Sequence, residues 1–365
     1  MVTSSTDTPA SPISSVAGFP TLVGESDFSQ PGSRVWSETA LGRSSEKRLM
    51  VFSGSSNPDL AKGIVQRLGI RLGDVTLKQF ANGETYVKFD ESVRGSDVFL
   101  VQSPNGAGIN DQLMELLIMI DAAKLASVHR ITAVMPWYPY SRQDKKVSGR
   151  EPISARLVAN LLQAAGVDRV LSMDLHTGQL QGFFDIPVDH MTAVPILATY
   201  FRDLGLVGDG CVVVSPDAGG AKRAKKFADK LGTSLAILTK ERPGHNLAEV
   251  TNVIGEVRGK TAIMIDDMID TAGTLCAGAK ALINHGAESV YACSTHAVFS
   301  GPALERIQNS VIRECVVTDT IPVDPRTRPD NVRVLSVAGV LADTIRNVFC
   351  DESVSSIFGG ENQLF

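Results

Sequence analysis

Ala262-Ile-Met-Ile-Asp-Asp-Met-Ile-Asp-Thr-Ala-Gly-Thr274 places three chemical demands on one short run of chain. Its apolar start reads as a buried parallel strand that ends in two carboxylates, Asp266 and Asp267. Asp270-Thr271-Ala272-Gly273-Thr274 follows, a helix-start signature of hydroxyls and a Gly whose free backbone N–H groups can cradle a phosphate. A carboxylate pair beside such a nest suits a sugar phosphate: the acids accept from ribose hydroxyls while the loop holds the 5-phosphate. The plainer alternative is a βα unit with a capped helix. Two adjacent acids at the end of an apolar strand are costly without a ligand, and this weighs against the plainer alternative.

The same rhythm extends outward on both sides. Strands are predicted over 49–52, 75–77, 97–102 and 130–135, with helical periodicity from Asn110 to Leu125 through Leu113, Leu116, Leu117 and Ile120. The second half repeats the pattern, with strands over 211–215, 234–238, 261–265 and 289–295 and helices over 221–231 and 274–285. Strands alternating with helices predict an α/β architecture with largely parallel sheets. In such sheets ligands sit beyond the C-terminal ends of the strands, where the polar clusters of this chain fall. Each half carries strand, polar loop and helix in similar order, which makes a duplication plausible.

At 365 residues the chain has room for about two domains. Its 43% hydrophobic content supports sizeable cores, and no apolar run approaches the roughly 20 residues of a membrane span. A formal charge of −5 implies no general affinity for nucleic acid. Cys211, Cys276, Cys293, Cys315 and Cys350 are scattered, odd in number and without C-x-x-C spacing; they read as reduced cytosolic thiols. Residues 1–46 are dense in Ser, Thr, Pro and Gly and read as a disordered tail. Asp7, Glu25, Asp27, Glu38 and Glu46 outnumber Arg34 and Arg43 there, unlike an Arg-rich transit peptide, so a cytoplasmic location is expected.

Five further segments carry candidate chemistry. Asp217-Ala218-Gly219-Gly220 follows an apolar strand; its paired glycines allow close approach of an anion, and Asp217 can meet a metal or orient the loop. A tight turn explains the tetrapeptide equally well. His176, in Asp174-Leu175-His176, sits near a strand end, where it is either a structural imidazole or a group that helps hold a divalent ion. Arg142-Gln143-Asp144-Lys145-Lys146 follows Trp137-Tyr-Pro-Tyr140 and can grip a nucleotide triphosphate; a solvated charge run is the alternative. Phe80-Ala81-Asn82-Gly83-Glu84 joins an aromatic platform to an amide and a carboxylate at an Asn-Gly turn. Lys240 and Arg242 open a polar stretch that runs to about Glu256 between two strands and reads as a lid, its cations placed to neutralise a transferring group.

Taken together and in this order, these segments resemble the ribose-phosphate diphosphokinases, the phosphoribosyl-diphosphate (PRPP) synthetases, of the phosphate-activated class I type. The 262–274 motif alone is shared with type I phosphoribosyltransferases. The similarity runs from about Arg48 to Phe358. It includes Tyr138-Pro-Tyr-Ser-Arg-Gln-Asp-Lys-Lys146, Arg150-Glu-Pro-Ile-Ser154 and Gln181-Gly-Phe-Phe-Asp-Ile-Pro-Val-Asp189, the last of these particular to the synthetases. The resemblance implies two phosphoribosyltransferase-like domains over 47–189 and 190–345, with the segment 346–365 returning to the first. It implies transfer of the β,γ-diphosphoryl group of ATP to ribose 5-phosphate, giving AMP and PRPP for nucleotide, His and Trp biosynthesis. A catalytically silent associated subunit and a PRPP-consuming transferase are the competing readings.

The same resemblance assigns roles by position. Phe80, Asn82 and Glu84 would bind adenine, from a neighbouring subunit of a hexamer; Arg142, Gln143, Asp144 and His176 would hold ATP. His176 and Asp217 would coordinate Mg²⁺, and Asp217, Ala218, Gly219 and Gly220 would lie near the diphosphate. Asp266, Asp267, Asp270, Thr271, Ala272, Gly273 and Thr274 would bind ribose 5-phosphate, while Lys240 and Arg242 would be catalytic. Phosphate and ADP would act as effectors at Ser92, Arg94, Ser353, Val354, Ser355, Ser356, Ile357 and Phe358.

Overall fold

Fourteen strands are found among the residues that the structure, a computed structural model, describes, namely 47–241 and 250–358. The first half runs β1 (Leu49–Ser53), α1 (Pro58–Leu68), β2 (Val75–Gln79), β3 (Thr85–Phe89), β4 (Asp97–Val101), α2 (Ile109–Leu125), β5 (Arg130–Met135), α3 (Ser154–Ala165), β6 (Arg169–Met173), β7 (Val188–Met191) and α4 (Val194–Asp203). The second runs β8 (Cys211–Ser215), α5 (Ala221–Leu231), β9 (Ser234–Glu241), β10 (Val250–Ile254), β11 (Thr261–Ile269), α6 (Gly273–Asn284), β12 (Ser289–Ala297), α7 (Ala303–Gln308), β13 (Ile312–Thr318), β14 (Val332–Leu335) and α8 (Ala338–Phe349). The two successions are the same element for element, so the repeated rhythm of the sequence is a repeated topology.

Strands β1, β4, β5, β6 and β7 form one parallel sheet in the order β1-β4-β5-β6-β7. The second sheet has the order β10-β9-β8-β11-β12-β13-β14, parallel except for the β9–β10 ribbon. In the first half the corresponding ribbon, β2–β3, stands apart as its own antiparallel pair. Strands β4 and β8 are buried at every position, as expected where helices cover both faces of a parallel sheet. Local chemistry fixes the helix ends: Asn57 accepts from the Leu60 N–H at 3.3 Å to start α1, and Gly69, at φ +70°, ends it.

The last helix of each half crosses over. Phe201 and Leu197 of α4 pack with Phe227 and Leu231 of α5, in the second half. In return, Leu341, Ala342 and Ile345 of α8 pack with Leu60, Ile64 and Val51 of the first half. The return of the chain to the first layer therefore begins with Ala338, ahead of position 346.

Two sequence expectations change. Strand β11 does not stop at Ile265: pairing with β12 continues through Met268↔His296 and Ile269↔Ala297, so Asp266 and Asp267 lie inside the strand. The polar stretch from Thr239 is also not one long loop, since β9 reaches Glu241 and pairs antiparallel with β10. Backbone hydrogen bonds extend these strands regardless of side-chain polarity, which a hydrophobic pattern cannot register.

Candidate functional site

The C-terminal ends of β8 and β11, with the start of α6, form a cleft of about 210 Å³ walled by Arg142, Pro216, Asp266, Asp270 and the 271–275 loop. A larger surface cavity of about 640 Å³ lies between α6 and α7. The smaller cleft is the chemically equipped one, because Asp266 and the 270–274 loop converge there.

Asp267 is the hub of the site, with only 3% of its surface exposed. His176 Nδ1 donates to its Oδ2 at 2.7 Å, and Arg223 Nη1 lies 3.2 Å from its Oδ1 and 3.5 Å from Asp266 Oδ1. Burial works to raise the Asp267 carboxyl, but the His176 hydrogen bond and the Arg223 charge outweigh it and hold the group well below the usual carboxylate range. Asp266 moves the other way, pushed well above that range by burial in the cleft and by the neighbouring Asp267 charge. Its side chain nevertheless keeps 34% exposure and lines the cleft, while Asp267 anchors the network behind it. The Asp267 hydrogen bond lifts His176 above the ordinary imidazole value of 6.5, against a desolvation that would lower it.

Arg142 Nη1 donates to Asp270 Oδ2 at 2.6 Å. This pair ties the basic loop of the first half to the loop at the head of α6. Burial would raise Asp270, but Ser300 and Arg142 bring it below the carboxylate norm. Ala272 takes the left-handed conformation at φ +57° and is buried, and α6 then starts at Gly273 without a side-chain cap.

On the β8–α5 loop Asp217 turns back to accept from the Gly220 N–H at 2.8 Å, while Ser215 Oγ donates to the Asp217 carbonyl at 2.7 Å. A Cβ at Gly220 would come within 2.9 Å of Ser215 Oγ, so this turn needs glycine. Gln143 and Asp144 serve the same neighbourhood from below. Asp144, 5% exposed, accepts from Thr177 Oγ1 at 2.6 Å and from Gln179 Nε2 at 2.7 Å, fixing the loop that presents His176. Gln143 accepts from Ser154 Oγ at the start of α3.

The halves meet beside this network. His296 Nε2 donates to the Met173 carbonyl at 3.0 Å and its ring packs edge-on to Trp137, with 4.8 Å between centroids. Asp174, at φ +39°, accepts from the Ala193 N–H at 2.8 Å and from Thr295 Oγ1 at 2.5 Å. His190 accepts from the Leu175 N–H at 3.0 Å, and burial lowers its pKa to about 4.

Other expected site residues lie elsewhere. Phe80, Asn82 and Glu84 form the tip of the β2–β3 hairpin: Asn82 Oδ1 accepts from the Glu84 N–H at 3.2 Å, and Phe80 is 55% exposed. No hydrogen bond among the described residues joins this tip to the cleft. Ser92 and Arg94 lie in the β3–β4 connection, and 355–358 form a short turn whose Phe358 is buried with Val354 against α8. Arg130 ties the start of β4 to the segment that follows α8, pairing with Asp97 at 2.6 Å and Asp351 at 3.2 Å. Lys240 lies on β9; its side chain and the whole of Arg242 fall outside the described residues, as does the 1–46 tail.

Among the described residues no three His, Cys, Asp or Glu side chains cluster as an all-protein metal site. Arg223 is the residue that sequence reasoning missed. A signal existed: Arg223, Phe227 and Leu231 recur every four residues on the buried face of α5, and a cation on an apolar stripe needs a buried anion.

The profile of the N-terminal domain of ribose phosphate pyrophosphokinase matches residues 49–166, and that of the phosphoribosyl synthetase-associated domain matches 248–359. The ribose-phosphate pyrophosphokinase of Fusobacterium nucleatum is 53% identical over 308 residues, covering 84% of this chain and 97% of that protein. The chain belongs to the ribose-phosphate pyrophosphokinase family. Ribose-phosphate pyrophosphokinase 1 of Spinacia oleracea is 54% identical over 314 residues, 86% of this chain and 93% of that one. The phosphoribosylpyrophosphate synthetase of Mycobacterium smegmatis superposes with a TM-score of 0.78 at 49% identity, over 84% of this chain and all of that one. The chain is thus an enzyme of this family with its fold, two largely parallel sheets flanked by helices.

Proposed function

We propose that this enzyme transfers the β,γ-diphosphoryl group of ATP to the anomeric hydroxyl of ribose 5-phosphate. The hydroxyl oxygen bonds to the β-phosphorus, the bond from that phosphorus to the α,β-bridging oxygen breaks, AMP leaves, and the hydroxyl proton passes to solvent. The observation that carries the reading is the Arg142–Asp270 pair, which brings a triphosphate-type basic loop and a ribose-phosphate loop together at one cleft.

Asp266 accepts from ribose hydroxyls, with Asp267 held behind it by Arg223 and His176. The 270–274 loop offers its N–H groups to the 5-phosphate. Asp217 and the outer nitrogen of His176 would hold Mg²⁺, which when bound supplies positive charge to the phosphate oxygens. Lys240 and Arg242 stabilise charge on the transferring group, since such transfers rest on positioning and neutralisation. The exposed Phe80 hairpin reaches adenine in a neighbouring copy of a hexamer. Phosphate and ADP act as effectors at Ser92, Arg94 and 353–358. The product would feed nucleotide, His and Trp synthesis in the cytoplasm. A relative named chloroplastic, from Arabidopsis thaliana, is 54% identical over 312 residues, so a reporter fused to residues 1–46 is the relevant check; import into a plastid would overturn the cytoplasmic assignment.

The test follows AMP and PRPP by ³¹P NMR with ATP, ribose 5-phosphate, Mg²⁺ and phosphate, beside a Lys240→Ala sample. Equimolar AMP and PRPP, largely lost in the variant, are expected. No product from assembled, phosphate-supplied protein would sink the reading. Full rate without phosphate, unchanged by Arg94→Ala, would remove the effector assignment, and a monomer on gel filtration would remove the hexamer.

A further inference from the structure

The 271–272 peptide is the least expected feature of the phosphate loop. Ala272 sits at φ +57°, ψ +5° with 4% of its surface exposed, a left-handed conformation that side chains other than glycine adopt at a cost. Such a conformation persists where the surroundings over-determine it. Here the helix accounts for one side of Ala272: its carbonyl accepts from the Cys276 N–H at 3.0 Å, the first bond of α6. The preceding carbonyl, of Thr271, lies outside the helical ladder. It accepts instead from Arg306 Nη1 at 2.9 Å.

Arg306 is well placed for this task. It stands on α7, pinned to the core by Ala303 and Ile307, both fully buried. Its guanidinium also borders Gly273, where a Cβ would lie 3.4 Å from Nη1. A trans peptide is planar, with its carbonyl and N–H pointing in opposite directions. Arg306 lines the cavity between α6 and α7, whereas Thr271 and Ala272 line the cleft, so holding the Thr271 carbonyl toward α7 turns the Ala272 N–H away from α7. Released, this peptide is free to rotate as a unit and present its carbonyl where an anion would sit.

We infer that Arg306 is a positioning residue for the phosphate-binding loop, acting through the Thr271 carbonyl to keep the Ala272 N–H available to the 5-phosphate of the ribose substrate. The inference rests on the proposed function, because it names what that loop holds. Arg306 touches no reacting atom. Its contribution is to sugar-phosphate binding, and diphosphoryl transfer itself does not depend on it.

Three variants of the full, assembled enzyme test this: Arg306→Met, which keeps the bulk and loses every donor, and Arg306→Gln and Arg306→Lys, each of which keeps one donor nitrogen. In Arg306→Met the KM for ribose 5-phosphate should rise about tenfold, the scale of one lost charge-assisted hydrogen bond. The KM for ATP and kcat should stay within about twofold on the same argument. Gln and Lys should recover part of the loss. Calorimetry with ribose 5-phosphate and with ribose should place the loss on the phosphorylated ligand alone. An unaltered KM, an equal loss in kcat and both KM values, or variants that all fail to fold would each overturn the proposal. Wild-type protein that binds no ribose 5-phosphate would instead remove the functional reading beneath it.

Discussion

Arg223→Met tests the electrostatic logic of the site most directly. The guanidinium lies 3.2 Å from Asp267 and 3.5 Å from Asp266, and Arg223 is 9% exposed. Methionine fills similar volume and leaves the acid pair without its guanidinium, with the His176 contact to Asp267 and the Asp267 N–H bond to Asp266 remaining. Removing one partner of a fully buried pair costs about 3–5 kcal/mol. Asp266 is a third exposed, so its share is discounted for solvent screening, and a loss of about 2–3 kcal/mol is expected. For a body of this size that corresponds to a fall in Tm of roughly 3–6 °C. Thermal and urea unfolding of the full chain at neutral pH would measure it. The loss should change little between low and high salt, because a buried pair is poorly screened. Adding Asp266→Asn to the variant should restore about 1 kcal/mol, the scale of coupling between residues in one network. A variant within about 0.5 kcal/mol of wild type, as for an ordinary surface substitution, or a loss that vanishes in salt, would refute the claim that Arg223 holds the acid pair.

Two further outcomes follow from the same geometry. His190 is kept neutral by burial, with its pKa lowered to about 4, so the unfolded chain binds the extra proton first as pH falls. Stability should therefore decline as pH drops from about 6.5 to 4, by up to about 3 kcal/mol from this group, and His190→Gln, which still offers an acceptor to the Leu175 N–H, should flatten that part of the acid-unfolding curve. Gly220→Ala should cost about 1–3 kcal/mol by driving its methyl against the buried Ser215 hydroxyl. The double variant with Ser215→Ala should unfold at a higher temperature than Gly220→Ala alone, and no such recovery would mean that the strain lies elsewhere.

How much of this protein could be read from its sequence depends on the range over which each feature is encoded. Ala262–Thr274 carries its meaning locally: apolar β-formers, two acids and a hydroxyl–glycine loop follow one another directly, so strand, cleft and anion loop are legible in order. The Asn82-Gly83 hairpin is local in the same sense, resting on one glycine at positive φ. The alternation of strands and helices likewise dictates parallel sheets with both faces covered. Where β11 ends was not legible, because Asp266 and Asp267 stay in the strand through backbone pairing to β12.

Only the tertiary structure decided the partnerships. His176 meets Asp267 across 91 residues of chain and Arg142 meets Asp270 across 128, and neither spacing repeats any helix or strand period. Arg306 shows no local mark at all; its partner is a backbone carbonyl, and every residue has one. The exchange of α4 and α8 between the halves belongs to the same class, since an amphipathic helix specifies that it must be buried and not against which sheet. Local sequence sets the conformations and chemical groups on offer. Sheet order and packing determine which of them face one another, because contact energies between distant residues exist only once the layers have closed.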